Sequence, residues 1–455
     1  MASAVSQAFF DSVSRTIGQE AAGRLREALQ GSPSISVRHN PFKPSAISVL
    51  PEEDGLVPWS PYGRILRERP VFTLDPLFHC GAYYVQDSSA MFVGHVFREM
   101  LGHLDVGERP VRVLDLCAAP GGKTTDVAAS LRSVFDDRFL LVSNEVMRSR
   151  ATVLADNAAR WGDPNVVVTN VDPKAFSRME GWFDVIVADV PCSGEGMFRK
   201  DEEAAAQWSP DIVALCASRQ RRILADVWPA LAEGGVMIYS TCTFNRDEND
   251  SNASWICSEL GARSVMPCRQ YDGVIHTGQG YLLVPGLVPG EGQYCAAMVK
   301  TSASGSFSPR VKPQAMDPVC RQASRFFSVP VTAKMKGDLI VALPEVIAPD
   351  VAVLSSLLPL VSSGCAVGQV KGHDLVPDED LALCTCCAED AFPTVDVDVQ
   401  TALHYLHRDA FAIQDAPRGF VRLTCGGVGL GFVKNLGSRC NNLHPQGRRI
   451  MMDIK

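Results

Sequence analysis

The middle of the chain alternates short apolar runs with longer stretches of helical periodicity. The runs predict buried strands at 111–116, 139–145, 165–170, 184–188 and 236–240. A helical pattern at 125–131 separates the first two of these strands. Alternation of this kind is typical of a doubly wound α/β fold, in which helices cover both faces of a parallel sheet.

The pattern changes on either side of this block. Residues 1–109 mix helical patterning from Phe9 to Leu29 with proline-rich connections, which predicts an α+β extension. Residues 301–319 contain four Ser and three Pro, a composition typical of a linker. Short β-like runs among Gly and Pro in residues 320–455 predict a compact, mostly β module. The α/β domain is therefore expected at 110–300.

The amino-acid composition favours a globular protein over a disordered chain or a membrane protein. The 455 residues are 46% hydrophobic and 21% charged, which is enough to bury a core and too apolar for a disordered chain. The longest apolar stretch, 351–361, is far shorter than the roughly 20 residues that cross a bilayer. The N-terminus lacks the pattern of a signal peptide, so the fifteen cysteines are expected to be reduced thiols in the cytoplasm.

Charge is distributed unevenly along the chain. The net charge of −8 argues against a non-specific nucleic-acid coat, although it leaves room for a local basic site. Residues 345–415 carry twelve acidic and two basic side chains, whereas residues 416–455 carry seven basic and one acidic. This asymmetry predicts a basic face at the C-terminal end, and solvated charge on a small domain is the simpler alternative.

The candidate chemistry lies at the carboxyl ends of the predicted strands. The first strand enters a turn of small residues, Cys117-Ala118-Ala119-Pro120-Gly121-Gly122-Lys123, before a helix. This turn has neither the phosphate-loop nor the dinucleotide spacing of glycines. The acids Glu145, Asp172 and Asp189 follow the next three strands. Together with the turn they predict a nucleotide-type ligand site at one edge of the sheet, although each acid alone would be explained as a helix cap.

Two cysteines follow adjacent predicted strands and should face the same crevice. Cys192 stands in Asp189-Val-Pro-Cys-Ser-Gly194, and Cys242 stands in Thr241-Cys-Thr243. Thiolates are good nucleophiles, so either cysteine is a candidate for covalent catalysis. Most other cysteines are expected to be small buried apolar residues. The run at 384–387 has only weak zinc-ligand spacing, and we expect no metal.

At these residues the sequence resembles the S-adenosylmethionine-dependent RNA (cytosine-5) methyltransferases of the Sun/nucleolar-protein family. The matching motifs are FDVIVADVPCSG at 183–194, CAAPGGK at 117–123 and STCT at 240–243. Further motifs are similar to the bacterial F-type enzymes that act on 16S ribosomal RNA: GAYYVQDSSAM at 81–91, GMFRKD at 196–201, WSP at 208–210, GFVKN at 431–435 and NNLHP at 441–445. Val185 departs from the signature but remains apolar within a predicted buried strand.

The resemblance implies a Rossmann-like methyltransferase domain, an RNA-binding or supporting region at 1–109 and a PUA-like RNA-binding region at 320–455. It implies S-adenosylmethionine as cofactor, with 117–123 contacting its methionine part, Glu145 the ribose and Asp172 the adenine. Asp189 would lie beside both the donor and the target base. In this family the Thr-Cys cysteine attacks, which nominates Cys242, and Cys192 would assist release.

The implied partner is RNA, most specifically 16S ribosomal RNA or the small ribosomal subunit, bound by a cytoplasmic monomer. The same reaction on transfer RNA is an open alternative. So are a catalytically inactive RNA-binding scaffold and a methyltransferase for small molecules or proteins. Intact cysteines, turn and acids argue against the scaffold, and a separate basic module argues against a small-molecule enzyme.

Overall fold

A computed structural model describes residues 5–104, 106–307, 309, 318–372, 374–413 and 416–454. Part of the predicted linker, at 308 and 310–317, therefore lies outside the described residues. The elements of the N-terminal region are α1 (Gln7–Ile17), α2 (Gln19–Ala28), β1 (Ile35–His39), β2 (Glu53–Leu56), β3 (Gly63–Leu66), α3 (Pro76–His79), β4 (Tyr83–Val85) and α4 (Met91–Leu101). Its four strands form one sheet in the order β2-β3-β1-β4.

The helical pattern predicted from Phe9 to Leu29 is divided in two. Gly18 separates α1 from α2 with a φ of +85°, a conformation that strains residues with a side chain. The apolar faces of both helices, including Phe9 and Leu25, pack into the core on one side of the central sheet.

The central region carries the longest run of alternating strands and helices. Its elements are β5 (Val111–Asp115), α5 (Gly122–Phe135), β6 (Phe139–Asn144), α6 (Arg148–Trp161), β7 (Val166–Thr169), β8 (Phe183–Asp189), α7 (Glu202–Gln207), α8 (Pro210–Val227), β9 (Leu231–Thr241), α9 (Asp250–Glu259), β10 (Ala262–Val265), β11 (Ile275–His276), β12 (Tyr281–Leu283) and β13 (Gln293–Lys300). The five predicted strands are all present, with ends shifted by a few residues.

These strands form the parallel centre of a ten-stranded sheet. The spatial order β7-β6-β5-β8-β9 is the arrangement of a doubly wound fold. Successive strands are added on one side of β5 up to β7 and then on its other side from β8, so the strand order reverses between the parallel neighbours β5 and β8. Strand β13 extends the sheet antiparallel to β9. The predicted fold class is confirmed.

Both faces of this sheet are buried. In β5, Val111 and Val113 pack on one side with residues of α4, α5 and α6, whereas Leu114 packs on the other side with α1, α2 and α8. Burial on both faces explains why the strands read as continuous apolar runs without alternation.

The C-terminal region is mostly β, as predicted, with three α-helices among its strands. Its elements are β14 (Val331–Lys336), β15 (Leu339–Pro344), α10 (Ala348–Leu357), β16 (Leu360–Ser363), β17 (Cys365–Lys371), β18 (Asp374–Pro377), α11 (Glu379–Leu383), β19 (Thr394–Val397), α12 (Val399–His407), β20 (Gly419–Cys425), β21 (Val428–Asn435) and β22 (Cys440–Asn442). They build two four-stranded sheets, but β16 joins the central sheet antiparallel to β7.

The predicted basic face at the C-terminal end is partly used inside the protein. Arg448 reaches back to α6, where its Nε lies 2.6 Å from Asp156 Oδ1. The same guanidinium also pairs with Glu379 at 2.9 Å and Asp380 at 2.8 Å. Arg418 and Arg439 remain exposed. Arg448 therefore attaches the C-terminal region to the central domain. No helix of the described residues has the length and apolar character needed to span a membrane.

Candidate active site

The carboxyl ends of β5 and β8 lie side by side where the strand order reverses. This is the position at which open α/β sheets bind their ligands. The small-residue turn at 117–122, named here the glycine turn, follows β5. The first cysteine loop, 190–197, follows β8, and the second cysteine loop, 242–249, follows β9.

The glycine turn places the N-terminus of α5 at the crevice. Gly121 caps α5 with a φ of +117°, so a residue with a Cβ would be strained there. From α6, Arg150 Nη2 donates to Ala119 O and Asn157 Nδ2 donates to Pro120 O, both over 2.7 Å. The turn is thus held from its outer side, and the helix N-terminus offers amide groups and a positive dipole to an anion.

Arg38 of β1 supports the same turn from the N-terminal region. Its fully buried guanidinium donates to Gly122 O over 3.1 Å, to Thr125 Oγ1 over 2.6 Å and to Gln86 Oε1 over 2.8 Å. Burial lowers the pKa of Arg38, although the nearby carboxylate of Asp126 acts in the opposite direction. Sequence reasoning missed this residue, because an arginine on a short strand outside the α/β block belongs to no motif.

Lys123 and Asp189 connect the glycine turn to the end of β8. The Lys123 ammonium donates to Asp189 Oδ2 over 2.8 Å, and Ser240 Oγ donates to Asp189 Oδ1 over 2.7 Å. Burial opposes the charge of Lys123, but its interactions with Asp189 outweigh burial and raise the lysine's pKa. The Asp189 carboxylate is therefore held by hydrogen bonds, one from the start of α5 and one from the end of β9.

Asp115 is an acid of the crevice that the sequence analysis did not single out. It ends β5, is wholly buried, and accepts a hydrogen bond on Oδ2 from Thr124 Oγ1 over 2.7 Å. Its Oδ1 has no partner among the described residues. Burial raises the pKa of Asp115 to about 7. An unpaired buried oxygen at this position is an acceptor available to a polar group of a ligand.

Glu145 and Asp172 follow β6 and β7, as predicted, in different environments. Glu145 is buried, and its carboxylate lies 3.2 Å from Arg150 Nη1 and accepts from Met147 N over 2.9 Å. Asp172 is exposed and accepts from Lys174 N over 3.0 Å, which caps the short helix that follows. A capping role therefore accounts for Asp172 without any ligand, whereas Glu145 presents a fixed carboxylate at the sheet edge.

Cys192 and Cys242 meet across the two cysteine loops. Their sulfurs are 3.2 Å apart, in hydrogen-bond contact and not in a disulfide. Beside them, the hydroxyl groups of Ser193 and Thr243 are 3.0 Å apart. The hydrogen bond with Cys242, together with burial, raises the pKa of Cys192 well above its usual range. Either sulfur can act as the donor in this contact.

Two buried glutamates bind the cysteine loops to each other. Glu195, in the first loop, accepts from Phe244 N over 2.6 Å and Asn245 N over 3.1 Å in the second. Glu248, in the second loop, accepts from Ser193 N over 3.0 Å in the first. The Asn245 amide donates to both carboxylates, over 2.9 and 2.8 Å. Because each loop supplies an acid to the other, buried groups fix the separation of the two sulfurs.

Replacement of Glu195 by Ala should destabilise the protein. It removes the acceptor of Trp208 Nε1 as well as of the two backbone amides, and each buried donor left unpaired costs about 1–3 kcal/mol. We expect the melting temperature to fall by about 5 °C or more. Glu202→Ala, on the exposed first turn of α7, is the matched control and should melt like the wild type. Equal melting of both variants would remove Glu195 from this structural role.

No group of three or more His, Cys, Asp and Glu side chains in the described part of the chain is arranged to hold a metal ion. The cysteines of the 384–387 run are buried thiols.

Solved structures share this architecture. A methyltransferase homologue from Pyrococcus horikoshii has a TM-score of 0.54 and 24% identity, over 65% of this chain and 96% of its own. NSun6 from Pyrococcus horikoshii, solved with SFG, has a TM-score of 0.53 and 16% identity, over 66% of this chain and 100% of its own. In fold, the chain is a Rossmann-like methyltransferase.

Family models match three successive regions. Residues 104–298 match 16S rRNA methyltransferase RsmB/F, residues 5–88 match the N-terminal domain of 16S rRNA methyltransferase RsmF, and residues 392–450 match the methyltransferase RsmF PUA domain. All three matches are with methyltransferases of the RsmB/F group, and they confirm the resemblance predicted from the motifs.

Curated relatives agree over part of their length. Ribosomal RNA small subunit methyltransferase F of Serratia proteamaculans is 38% identical over 227 residues, which are 48% of this chain and 45% of that protein. The protein of the same name from Cronobacter sakazakii is 35% identical over 262 residues, 54% of this chain and 52% of that protein. The chain thus spans about half the length of the curated relatives it matches.

Proposed function

We propose that the protein transfers a methyl group from S-adenosylmethionine to carbon 5 of a cytosine in RNA, with 16S ribosomal RNA as substrate. The observation that carries this proposal is the contact of two thiols, 3.2 Å apart, beside Asp189 at the sheet's switch point. The family match and the names of the curated relatives support the RNA target.

The residues of the crevice fit the proposed donor. The N-terminus of α5 suits the carboxylate of the methionine part, and the unpaired Oδ1 of Asp115 suits a polar hydrogen of the ligand. The fixed carboxylate of Glu145 can accept from ribose hydroxyls, as acids at this strand position do in nucleotide sites. Asp172 would contact the adenine with its remaining oxygen. When bound, the donor supplies an electrophilic methyl group.

Cytosine requires covalent activation before carbon 5 can take a methyl group, because this carbon is a poor nucleophile. Addition of a thiolate to carbon 6 makes carbon 5 enamine-like. After methylation, a base removes the carbon 5 proton, the bond from sulfur to carbon 6 breaks, and the aromatic ring is restored. A cysteine suits both steps, since its thiolate is a strong nucleophile and a competent leaving group.

We assign the attacking thiolate to Cys242 and the release step to Cys192. A Cys192 thiol with a raised pKa is suited to donate toward the sulfur of Cys242, 3.2 Å away, and such a hydrogen bond would stabilise negative charge on the attacking atom. The motif resemblance favours the same division. The reverse assignment, with the Pro-Cys cysteine as nucleophile, is the arrangement of DNA cytosine methyltransferases, and variants of each cysteine distinguish the two.

Asp189 is proposed to orient the target base. Its carboxylate is held by Lys123 and Ser240 near both sulfurs, where it can hydrogen-bond a protonated ring nitrogen of cytosine as charge develops during addition. Lys123 fixes the orientation of the aspartate through its hydrogen bond.

The flanking regions are proposed to bind RNA while the central domain, 110–300, holds the extruded cytosine. Regions 1–109 and 320–455 would grip the backbone of the substrate, and the match to a PUA domain supports this for the second. We further propose that the protein is cytoplasmic, monomeric and independent of metal.

Transfer of label from tritiated S-adenosylmethionine tests the proposed reaction. Purified protein should label 16S ribosomal RNA, and nuclease digestion should recover the label as 5-methylcytidine. Label recovered from transfer RNA would redirect the substrate assignment, and label in protein or small molecules would overturn it. RNA binding without transfer to any substrate would favour the inactive scaffold.

Glu145→Ala should weaken binding of the methyl donor. Loss of one charge-assisted partner of the ribose hydroxyls costs about 1–3 kcal/mol, up to roughly a hundredfold in affinity. Titration calorimetry with S-adenosylmethionine measures the change, and Glu202→Ala on the exposed turn of α7 serves as the control. An unchanged dissociation constant would place Glu145 outside the donor site.

A further inference from the structure

A second concave site lies beside the glycine turn, between the N-terminal region and α6. It is a groove of about 310 Å³, at the lower end of the size range of small-ligand pockets. Phe72, Phe78, Tyr83 and Tyr84 contribute rings to its wall from the N-terminal region, and Arg160 contributes from α6. None of the functions proposed above uses this groove.

Four aromatic rings of the N-terminal region line the groove, and three of them pack against one another. Phe72, Phe78 and Tyr83 lie within 6.1 to 6.4 Å of one another, centroid to centroid. Tyr84 is half-buried, and no other ring in the described part of the chain packs against it. Its ring lies close to Gly122, where an added Cβ would come within 3.3 Å of it, and its hydroxyl accepts from Asn157 Nδ2 over 3.4 Å.

The charge of the groove is positive in an acidic protein. Arg69 and Arg160 line it, and no carboxylate does among the described residues. Arg69 is exposed, and its guanidinium lies 5.6 Å from the centroid of the Phe72 ring. Arg160 lies over Phe78 at 5.3 Å and is paired with Asp156, while its buried Nε has no hydrogen-bond partner among the described residues.

Aromatic rings beside exposed arginine side chains are the chemistry with which proteins hold single-stranded nucleic acid. Bases stack on the rings, and the guanidinium groups bind phosphate. The groove also adjoins the proposed donor site: Asn157, on its wall, donates to Pro120 O of the glycine turn.

From these observations we propose that the groove binds an unpaired nucleotide of the substrate RNA that flanks the target cytosine. The base stacks on the aromatic rings of the groove and Arg69 contacts its phosphate. This proposal rests on the proposed function, because it assumes an RNA substrate. It adds a recognition site in the N-terminal region that is separate from both the donor site and the C-terminal region.

Arg69→Ala and Arg67→Ala form a matched test. Both arginines are exposed on the same segment, but Arg67 pairs with Glu52 at 2.7 Å and does not line the groove. Binding of a fluorescein-labelled single-stranded fragment of 16S ribosomal RNA is measured by anisotropy without donor, at several salt concentrations. We expect Arg69→Ala to weaken binding about five- to tenfold and to reduce the salt dependence by about one phosphate contact. Arg67→Ala should do neither.

Phe72→Leu supplies the second variant, since it keeps apolar bulk and removes the stacking surface. It should weaken RNA binding about five- to a hundredfold and leave binding of S-adenosylmethionine unchanged. The groove proposal would be overturned if Arg69→Ala and Arg67→Ala bound RNA with equal affinity and equal salt dependence. If the wild type methylates RNA in the same experiments, the proposed function would still stand. A wild type that neither binds nor methylates RNA would overturn both.

Discussion

Cys242→Ala should abolish methyl transfer to RNA and leave binding of S-adenosylmethionine nearly unchanged. In the proposed mechanism the Cys242 thiolate forms the bond to carbon 6 of the base, and an alanine side chain cannot form that bond. The donor contacts instead arise from the glycine turn and the strand-end acids, which do not involve this thiol. We expect the turnover rate to fall at least about a thousandfold, in keeping with the loss of a covalent nucleophile. Calorimetry with the donor and tritium transfer to RNA give the two measurements.

Cys257→Ala is the matched control for this variant. Cys257 is a half-buried thiol on α9, outside the crevice, and its removal should leave transfer at the wild-type rate. If Cys242→Ala methylated RNA as fast as Cys257→Ala, the assignment of the nucleophile would be wrong.

Cys192→Ala should trap the enzyme on its substrate. Addition by Cys242 and methylation would still occur, but the step that restores the cytosine ring would lose the group assigned to it. A covalent complex of protein and RNA should then accumulate and survive denaturing electrophoresis, while multiple turnover falls by about a hundredfold or more. The 3.2 Å contact between the sulfurs is the reason to expect so direct an effect.

The double variant lacking both cysteines is the control for the trapped complex. It should form no adduct, because the carbon–sulfur bond needs Cys242. Normal turnover of Cys192→Ala without any adduct would exclude Cys192 from the release step. An adduct in Cys242→Ala, with none in Cys192→Ala, would reverse the two roles.

The central sheet was predictable because burial on both faces leaves an unmistakable sequence pattern. All five parallel strands read as apolar runs, and parallel topology then brings their carboxyl ends to one edge. That placement is enough to bring together the glycine turn, Asp189 and the two cysteines, since each directly follows a strand. The motifs that follow these strands also carry the family resemblance, which the family models confirm.

The groups that hold the site were not predictable in the same way. Arg38 lies 84 residues from the carbonyl of the glycine turn to which it donates, and no local pattern connects such residues. Glu195 and Glu248 read as ordinary loop acids; only the folded loops make them buried acceptors for each other's backbone. A charged residue buried by tertiary contacts looks like a surface residue in the sequence.

The charge composition of the C-terminal region does not show which of its basic residues are exposed. Its basic residues suggested an external face, yet Arg448 is bound by three carboxylates. Strand β16 was hidden because its sequence, Leu360-Val-Ser-Ser363, is too short and polar to be read as part of a buried sheet. Edge strands have one unpaired side and need fewer apolar residues, so their pattern is weak.

Bisulfite sequencing of 16S ribosomal RNA tests directly whether the protein methylates cytosine in this RNA through Cys242. The gene is deleted in the native host and restored either as the wild type or as Cys242→Ala. We expect one or a few cytosines to be protected from conversion in the wild type. These cytosines should lose protection on deletion and stay unprotected with Cys242→Ala. Identical protection patterns in 16S ribosomal RNA from the deleted and restored strains would contradict the proposed function.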